Sequence, residues 1–362
     1  MRAGDPIVWT LVPNRDGQRL RHVHIGAGAL GLGLVVPLTA DDLDVTLVQR
    51  RSSRSRRIWE ALDKRGSYCR HAADGATPTT RVTLSPSSEI LDADDADRLR
   101  ARVRAPETTL LTTAVGEANL EELAVGLRSV LSERARAGGP PLCVIACENT
   151  VGPIFTALSH AFEGTTVEFA RCVVDRFCRK PEVRDGDVHV STEAYGSWLI
   201  EAGPSSRVLV DALGHLDEVG FVRDLGPLRR KKRWLVNAPH FALALEARAR
   251  GIDQIDTFVQ GEGRHVLASL QRECTAALMA DTDAFTGREL AAFNRSVGRR
   301  MRSLALETDR VLRRFESGGS AAATSVVDEL LVEPLQRYLR AYGVAPEALT
   351  RAAAPYRTLL PS

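Results

Sequence analysis

The sequence predicts an open α/β sheet domain over residues 21–227 and a mostly α-helical C-terminal domain over 228–362, with residues 1–20 as an extension. Three observations carry that prediction. A glycine-rich turn lies between a short strand and an apolar helix near the start. Short apolar strands ending in polar or small residues then recur up to about residue 223. From about residue 228 the apolar residues take helical spacing, over 229–250, 262–280, 287–316 and 322–342, with the SGGS at 317–320 as an interhelical loop. A chain of 362 residues is long enough for two cores.

The first element is RHVHIGAGALGLGLVVPLTA, in which Gly26, Gly28 and Gly31 form G-x-G-x-x-G, with Gly33 beyond. In such a turn the first glycine permits the bend and the second lets the backbone approach a pyrophosphate. The third lets helix and strand pack closely, with phosphate at the helix N-terminus. That context predicts a Rossmann-type dinucleotide-binding domain with Gly26, Ala27, Gly28, Ala29, Leu30 and Gly31 against the cofactor. A glycine turn that holds no ligand is the alternative.

DVTLVQR (44–50) reads as the second strand, ending in Gln49, Arg50 and Arg51. NAD-binding folds of this kind carry an acidic residue there for the ribose hydroxyls. Here guanidinium groups stand at the strand end with no carboxylate among them, which favours NADP(H) and leaves NAD(H) open. The run RRSSRSRR could instead be a solvated loop or an RNA-binding patch over 50–57. It lacks the interleaved aromatics of nucleic-acid surfaces, so no nucleic-acid partner is expected.

TTLLTTAVG (108–116) and PLCVIACEN (141–149) read as later strands of the sheet. Ligands bind beyond the carboxyl ends of such strands, so Thr113, Ala114, Val115 and Asn149 are candidates to meet the cofactor or the reacting carbon. Asn149 could also cap the helix of VGPIFTALSHAF. VEFARCVVDRFC reads as one further strand with Asp175 and Arg176 at its end, a local ion pair being the plainest role for them. Residues 187–223 read as strands and turns that finish the sheet.

Bulk properties exclude several classes of function. With 44% hydrophobic and 26% charged residues and a net charge of +2, nothing global points to nucleic acid or an anionic membrane. No apolar run approaches the roughly 18–20 residues of a membrane span, and the start has no signal-like stretch, so a cytoplasmic protein is expected. The six cysteines, Cys69, Cys143, Cys147, Cys172, Cys178 and Cys274, form neither a disulfide framework nor a C-x2-C zinc pair. Cys143 and Cys147 are expected to be buried as small hydrophobes, and no metal site is expected.

The chemistry is expected in KKRWLVNAPH (231–240). On a helix turning about 100° per residue, Lys232, Asn237 and His240 fall within an arc of about 140°. An amine, a carboxamide and an imidazole on one face can hold a carbonyl and exchange a proton with it. Asn149 and Asn237 would donate to the alkoxide-like oxygen, Lys232 would act as general acid/base, and His240 would orient substrate or lysine. Burial and the neighbouring cations Lys231 and Arg233 would favour the neutral amine. A solvated helix face is the alternative, and Pro239 should bend or interrupt the helix.

Lys-x4-Asn-x2-His, matched by Lys232, Asn237 and His240, resembles the signature of the polyol-specific long-chain dehydrogenases, a family that includes mannitol-1-phosphate 5-dehydrogenases and mannitol 2-dehydrogenases. HIGAGALGLG, TTAVG, IACEN and VVDR resemble the same family in the same order, over about residues 22–245. The resemblance implies an expanded Rossmann domain plus a helical domain, and metal-free oxidation of a polyol or sugar phosphate to its ketose. It implies a monomer or small homo-oligomer, and Asp175 on substrate hydroxyls. SVGRRMRSL (296–304) resembles the family's basic substrate segment, which makes Arg302 a phosphate or hydroxyl ligand. A phosphorylated substrate is favoured by chain length and by the cations at 229–233. The rivals are a uronate reductase, an opine-type imine reductase and a dinucleotide-binding relative without turnover.

Overall fold

The computed structural model describes residues 19–53, 55–73, 79–148, 152–203, 206–303, 307–308, 311–312 and 326–359. The chain forms two compact units, one ending at Leu225 and the other beginning at Gly226.

In the first unit the strands are β1 (Arg21–Ile25), β2 (Asp44–Gln49), β3 (Ser67–Ala72), β4 (Thr80–Thr83), β5 (Glu89–Asp92), β6 (Thr108–Thr113), β7 (Leu142–Ala146) and β8 (Val167–Phe169). Six of them pair in the order β5-β2-β1-β6-β7-β8, every pair parallel. This is the doubly wound order whose ligand crevice opens where the order reverses, between β1 and β6. Helices α1 (Arg56–Arg65), α2 (Ala96–Arg104), α3 (Glu117–Ala137) and α4 (Pro153–His160) are threaded between the strands. The central strands are buried along their whole length, as a sheet packed on both faces requires. One face packs Val23, Ile25 and Leu111 against Leu127, Leu131 and Phe155. The other packs Leu110 and Ile145 against Leu34, Val35 and Trp198.

Two expectations need correction. VEFARCVVDRFC is not one strand: β8 ends at Phe169, and β9 (Cys172–Asp175) starts a different sheet. Residues 187–223 do not finish the parallel sheet either. β10 (Glu182–Arg184) and β11 (Asp187–Thr192) join β3 and β4 in a four-stranded sheet, ordered β10-β11-β3-β4. β12 (Ser197–Glu201) and β13 (Val219–Val222), with α5 (Arg207–Leu213) between them, join β9 in a three-stranded sheet. In each extra sheet one strand, β11 or β12, alternates buried and half-exposed residues. Such strands pack on one face only, which suits them to cover the parallel sheet and not to extend it.

The second unit is helical. It runs through α6 (Gly226–Lys232), a π-helical turn at Arg233–Asn237, α7 (Ala238–Ala249), α8 (Ile255–Gln260), α9 (Gly263–Asp281) and α10 (Gly287–Ser303). Past the residues left undescribed, SGGS among them, come a second π-turn at Asp328–Val332, α11 (Glu333–Tyr342) and α12 (Glu347–Ala353). Its core includes Trp234, Phe241, Leu270, Leu278, Leu331 and Leu349. The buried carboxylate of Glu273 accepts the first amides of α12, from Ala348 at 3.0 Å and Leu349 at 2.9 Å. No helix among the described residues is long and apolar enough to cross a membrane.

Two buried histidines on β1 make the first unit sensitive to acid. His22 and His24 are wholly buried, and Thr112 on β6 is hydrogen-bonded to both rings at 2.6 Å. Burial, reinforced by the neighbouring His24, holds His22 well below its ordinary value, and burial lowers His24 to about 4. In the unfolded chain both rings protonate near pH 6.5, whereas the folded protein keeps them neutral. The unfolded state therefore binds more protons between pH 6.5 and about 4. Stability should fall across that window, His24 alone accounting for about 3 kcal/mol. Urea midpoints measured from pH 7.5 to pH 4.5 should drop, and should drop less in His22→Phe.

Candidate functional site

The glycine turn leaves β1 at Gly26, whose φ of +118° is open to glycine and costly for other residues. A Cβ there would stand 2.5 Å from the Ala114 carbonyl oxygen. At Gly31 a Cβ would stand 2.3 Å from the Gly26 oxygen and 2.4 Å from His24 Nε2. Around this turn opens a cleft of about 430 Å³, lined by Gly26, Gly28, Gln49, Arg50, Ala114 and Val115, with Asn119 and Glu122 of α3 on its wall. It lies beyond the carboxyl ends of β1, β2 and β6, with Ala29 and Leu30 opening the helix that follows. Thr113 is buried in β6, and the Ala114 amide donates to Ile25 at 2.9 Å. Glu148 fixes the far lip, accepting the Val115 and Gly116 amides at 2.6 and 3.1 Å.

The helix after the turn is a π-helical turn at Gly31–Val35, closed by the Val36 amide on the Gly31 carbonyl at 2.9 Å. Side chains cause the widening. The Tyr68 hydroxyl donates to the Leu32 carbonyl at 2.9 Å, and Arg176 Nη1 donates to the Gly33 carbonyl at 2.9 Å. With both oxygens taken from outside, the ladder lengthens to the five-residue repeat. Gly33 is needed for packing, since a Cβ would stand 2.7 Å from Cys178 Sγ. Arg176 reaches well beyond its neighbours in sequence. It donates to the carbonyls of Gly33, Ala194 and Tyr195, joining the helix after the glycine turn to the loop before β12. Asp175 is buried at the end of β9.

At the end of β2 the charge pattern differs from expectation. Arg50 faces Glu122 at 3.2 Å and Asp94 at 3.8 Å, and Arg51 faces Glu60 at 3.5 Å and lies over the Trp59 ring at 4.6 Å. The strand end has no carboxylate of its own, but other elements bring acids to the same rim. Arg50, Glu122 and Asp94 are 56%, 68% and 74% exposed, so these pairs contribute only about 0–1 kcal/mol and yield to a stronger anion. Helix α4 likewise draws on an acid from another element. Its Ile154 and Phe155 amides are accepted by Glu121 of α3 at 3.0 and 3.2 Å. Asn149 lies outside the described residues.

In the second unit Lys232 ends α6, Asn237 closes the π-turn, and His240 lies in the first turn of α7. The Ala238 amide bonds the Arg233 carbonyl, five residues back. Residues five apart come into near register on such a turn, so Lys232 and Asn237 lie closer in angle than on the α-helix the sequence predicts. Pro239 follows one residue later, where the widened turn accommodates its ring and missing N–H. Lys232 and Asn237 are partly exposed and His240 is buried.

The cations beside this set are engaged elsewhere. Arg230 pairs with Asp281 at 2.6 Å, Arg233 pairs with Glu329 at 2.9 Å, and Lys231 sits 4.8 Å from the rings of both Phe285 and Phe293. Arg302 is exposed on α10, whereas Arg300, two residues earlier, is buried. Among the described residues no group of three His, Cys, Asp or Glu side chains is placed to hold a metal ion.

Sequence reasoning passed over His24, Glu148 and Glu121. The alternation His22-x-His24 in an apolar strand was a visible signal for the first, while the two glutamates act across long separations that no local pattern reveals.

A family profile described as the mannitol dehydrogenase Rossmann domain matches residues 20–208. A mannitol-1-phosphate 5-dehydrogenase of Bacillus licheniformis is 27% identical over 299 residues, 79% of this chain and 75% of that protein. Another from Geobacillus thermodenitrificans is 29% identical over 232 residues, 61% and 57% of the two chains. Among solved structures, Pseudomonas fluorescens mannitol 2-dehydrogenase in ternary complex with NAD and D-mannitol superposes with a TM-score of 0.69 at 18% identity, covering 95% of this chain and 79% of that one. At that identity the likeness speaks for the fold alone.

The contacts at Gly31 are with backbone and a buried ring, neither of which can yield cheaply. Gly31→Ala should destabilise the first unit by about 1–3 kcal/mol or more. Denaturant titration followed by tryptophan fluorescence would measure it. Gly28→Ala is the control: its nearest contact would be 3.6 Å, so stability should stay near that of the parent chain.

Proposed function

The chain belongs to the mannitol dehydrogenase family of oxidoreductases, and we propose that it interconverts a secondary alcohol of a polyol or sugar phosphate with its ketone, using NADP(H) in preference to NAD(H). The observation that carries this reading is the π-turn at Arg233–Asn237, which draws Lys232 towards the angular position of Asn237 with His240 one turn on.

The cleft fits a dinucleotide. Its floor is a turn that admits no Cβ at Gly26, it has room for a nucleoside, and Arg50 stands at its rim. When bound there, a nicotinamide dinucleotide would supply hydride exchange. The chain supplies the rest. Lys232 gives a proton to the substrate oxygen in reduction and takes it back in oxidation. Asn149 and Asn237 donate to that oxygen as its negative charge grows, and His240 orients the lysine or the substrate. Asp175 accepts from substrate hydroxyls, with Arg302 a weaker candidate contact because it is exposed. The names of the two mannitol-1-phosphate 5-dehydrogenases support a phosphorylated hexitol.

Lys232→Ala should lower turnover by roughly 10²–10⁴ with nucleotide binding retained. Near-normal turnover across a panel of ketoses and ketose phosphates would end the reading. Arg50→Ala should weaken NADPH about tenfold and leave NADH within about twofold, because only NADPH offers that guanidinium a phosphate. Equal losses for both nucleotides in fluorescence titration would remove the preference for NADP(H).

A further inference from the structure

Gln49 stands where a ribose ligand is expected, yet its side chain is turned onto the glycine turn. The Ala27 amide donates to Gln49 Oε1 at 2.8 Å, and Gln49 Nε2 donates to the Arg50 carbonyl at 3.2 Å. One bond needs an acceptor and the other a donor, so together they fix which end of the carboxamide is oxygen. The same peptide group is held from its other end. The Gly26 carbonyl, bonded covalently to the Ala27 nitrogen, lies 3.1 Å from His24 Nε2.

A carbonyl only accepts, so His24 carries its proton on Nε2 and its Nδ1 must accept. Thr112 then donates its hydroxyl to His24 Nδ1 at 2.6 Å and accepts from His22 Nε2 at 2.6 Å. His22 Nδ1 is left without a proton, 2.9 Å from the Thr39 hydroxyl, which also reaches the Val36 carbonyl at 3.2 Å. From His22 Nε2 onward the protons of this buried chain point one way, towards Gly26. The low protonation range of both rings agrees with two neutral imidazoles.

We propose that Gln49 and His24 are positioning residues that clamp the Gly26–Ala27 peptide plane, presetting the turn that receives the cofactor's pyrophosphate. The clamp rests on the dinucleotide reading above for its use, but its mechanical part belongs to the empty protein. A clamp differs from a ribose contact in what it changes. A side chain touching the ribose alters the ratio of NADPH to NADH affinity, whereas one that shapes the pyrophosphate turn moves both affinities together.

Two variants and two readouts test it. Gln49→Leu removes the acceptor, and Gln49→Glu keeps one. Gln49→Leu should weaken NADH and NADPH alike by about tenfold, with their ratio unchanged. Gln49→Glu should hold NADH within about threefold of the parent. Without nucleotide, amide hydrogen exchange at Ala27 should quicken in Gln49→Leu and stay slow in Gln49→Glu. The proposal is overturned if Gln49→Leu shifts the NADPH/NADH ratio, if both variants lose NADH equally, or if Ala27 exchange is the same in all three proteins. Failure of the parent chain to bind either nucleotide would sink the cofactor reading, while the exchange measurement would still decide whether the clamp exists.

Discussion

No side chain fits between the Gly26 carbonyl and the backbone at Gly31, and much of the first unit is arranged about that contact. His24 fills the space behind it, and Ala114, just past β6, crowds Gly26 from the other side. Tyr68 and Arg176 then pull the carbonyls of Leu32 and Gly33 out of the regular helical ladder. The extra sheets are thereby tied to the helix that begins at the cofactor turn. A turn held by so many fixed partners loses little freedom when an anion arrives, and that preorganisation is what binding a pyrophosphate demands.

In the second unit the same device appears on another helix. The π-turn at Arg233–Asn237 changes the angular relation of residues five apart, and the proline after it stops the α-helical ladder from re-forming across that point. The cations around Lys232 are meanwhile bound to Asp281, Glu329 and two phenylalanine rings. Of the two adjacent lysines, Lys231 is the one that lies over those rings.

Charge at the cofactor rim shows why local reading misjudges electrostatics. Arg50 and Arg51 looked like open anion ligands because the residues beside them in sequence are basic or neutral. Their partners, Glu122, Asp94 and Glu60, come from α3, the end of β5 and α1. The exposed geometry of those pairs keeps them exchangeable. Glu121 of α3, at the start of α4, and Glu148, at the Val115 turn, follow the same pattern, each a carboxylate reaching backbone amides far away in sequence.

The sequence by itself determined the parallel sheet, the glycine turn, the helical second unit and the resemblance to the mannitol dehydrogenases. Each is written in contiguous residues: apolar runs of strand length, a fixed glycine spacing, a change of hydrophobic period, a short signature. Tertiary structure alone decided that VEFARCVVDRFC divides between two sheets, that Gln49 serves the glycine turn, and that both site helices widen into π-turns. Those outcomes depend on which distant hydroxyl, guanidinium or amide reaches a backbone group first, and hydrogen-bond competition across the fold leaves no periodic trace in the chain.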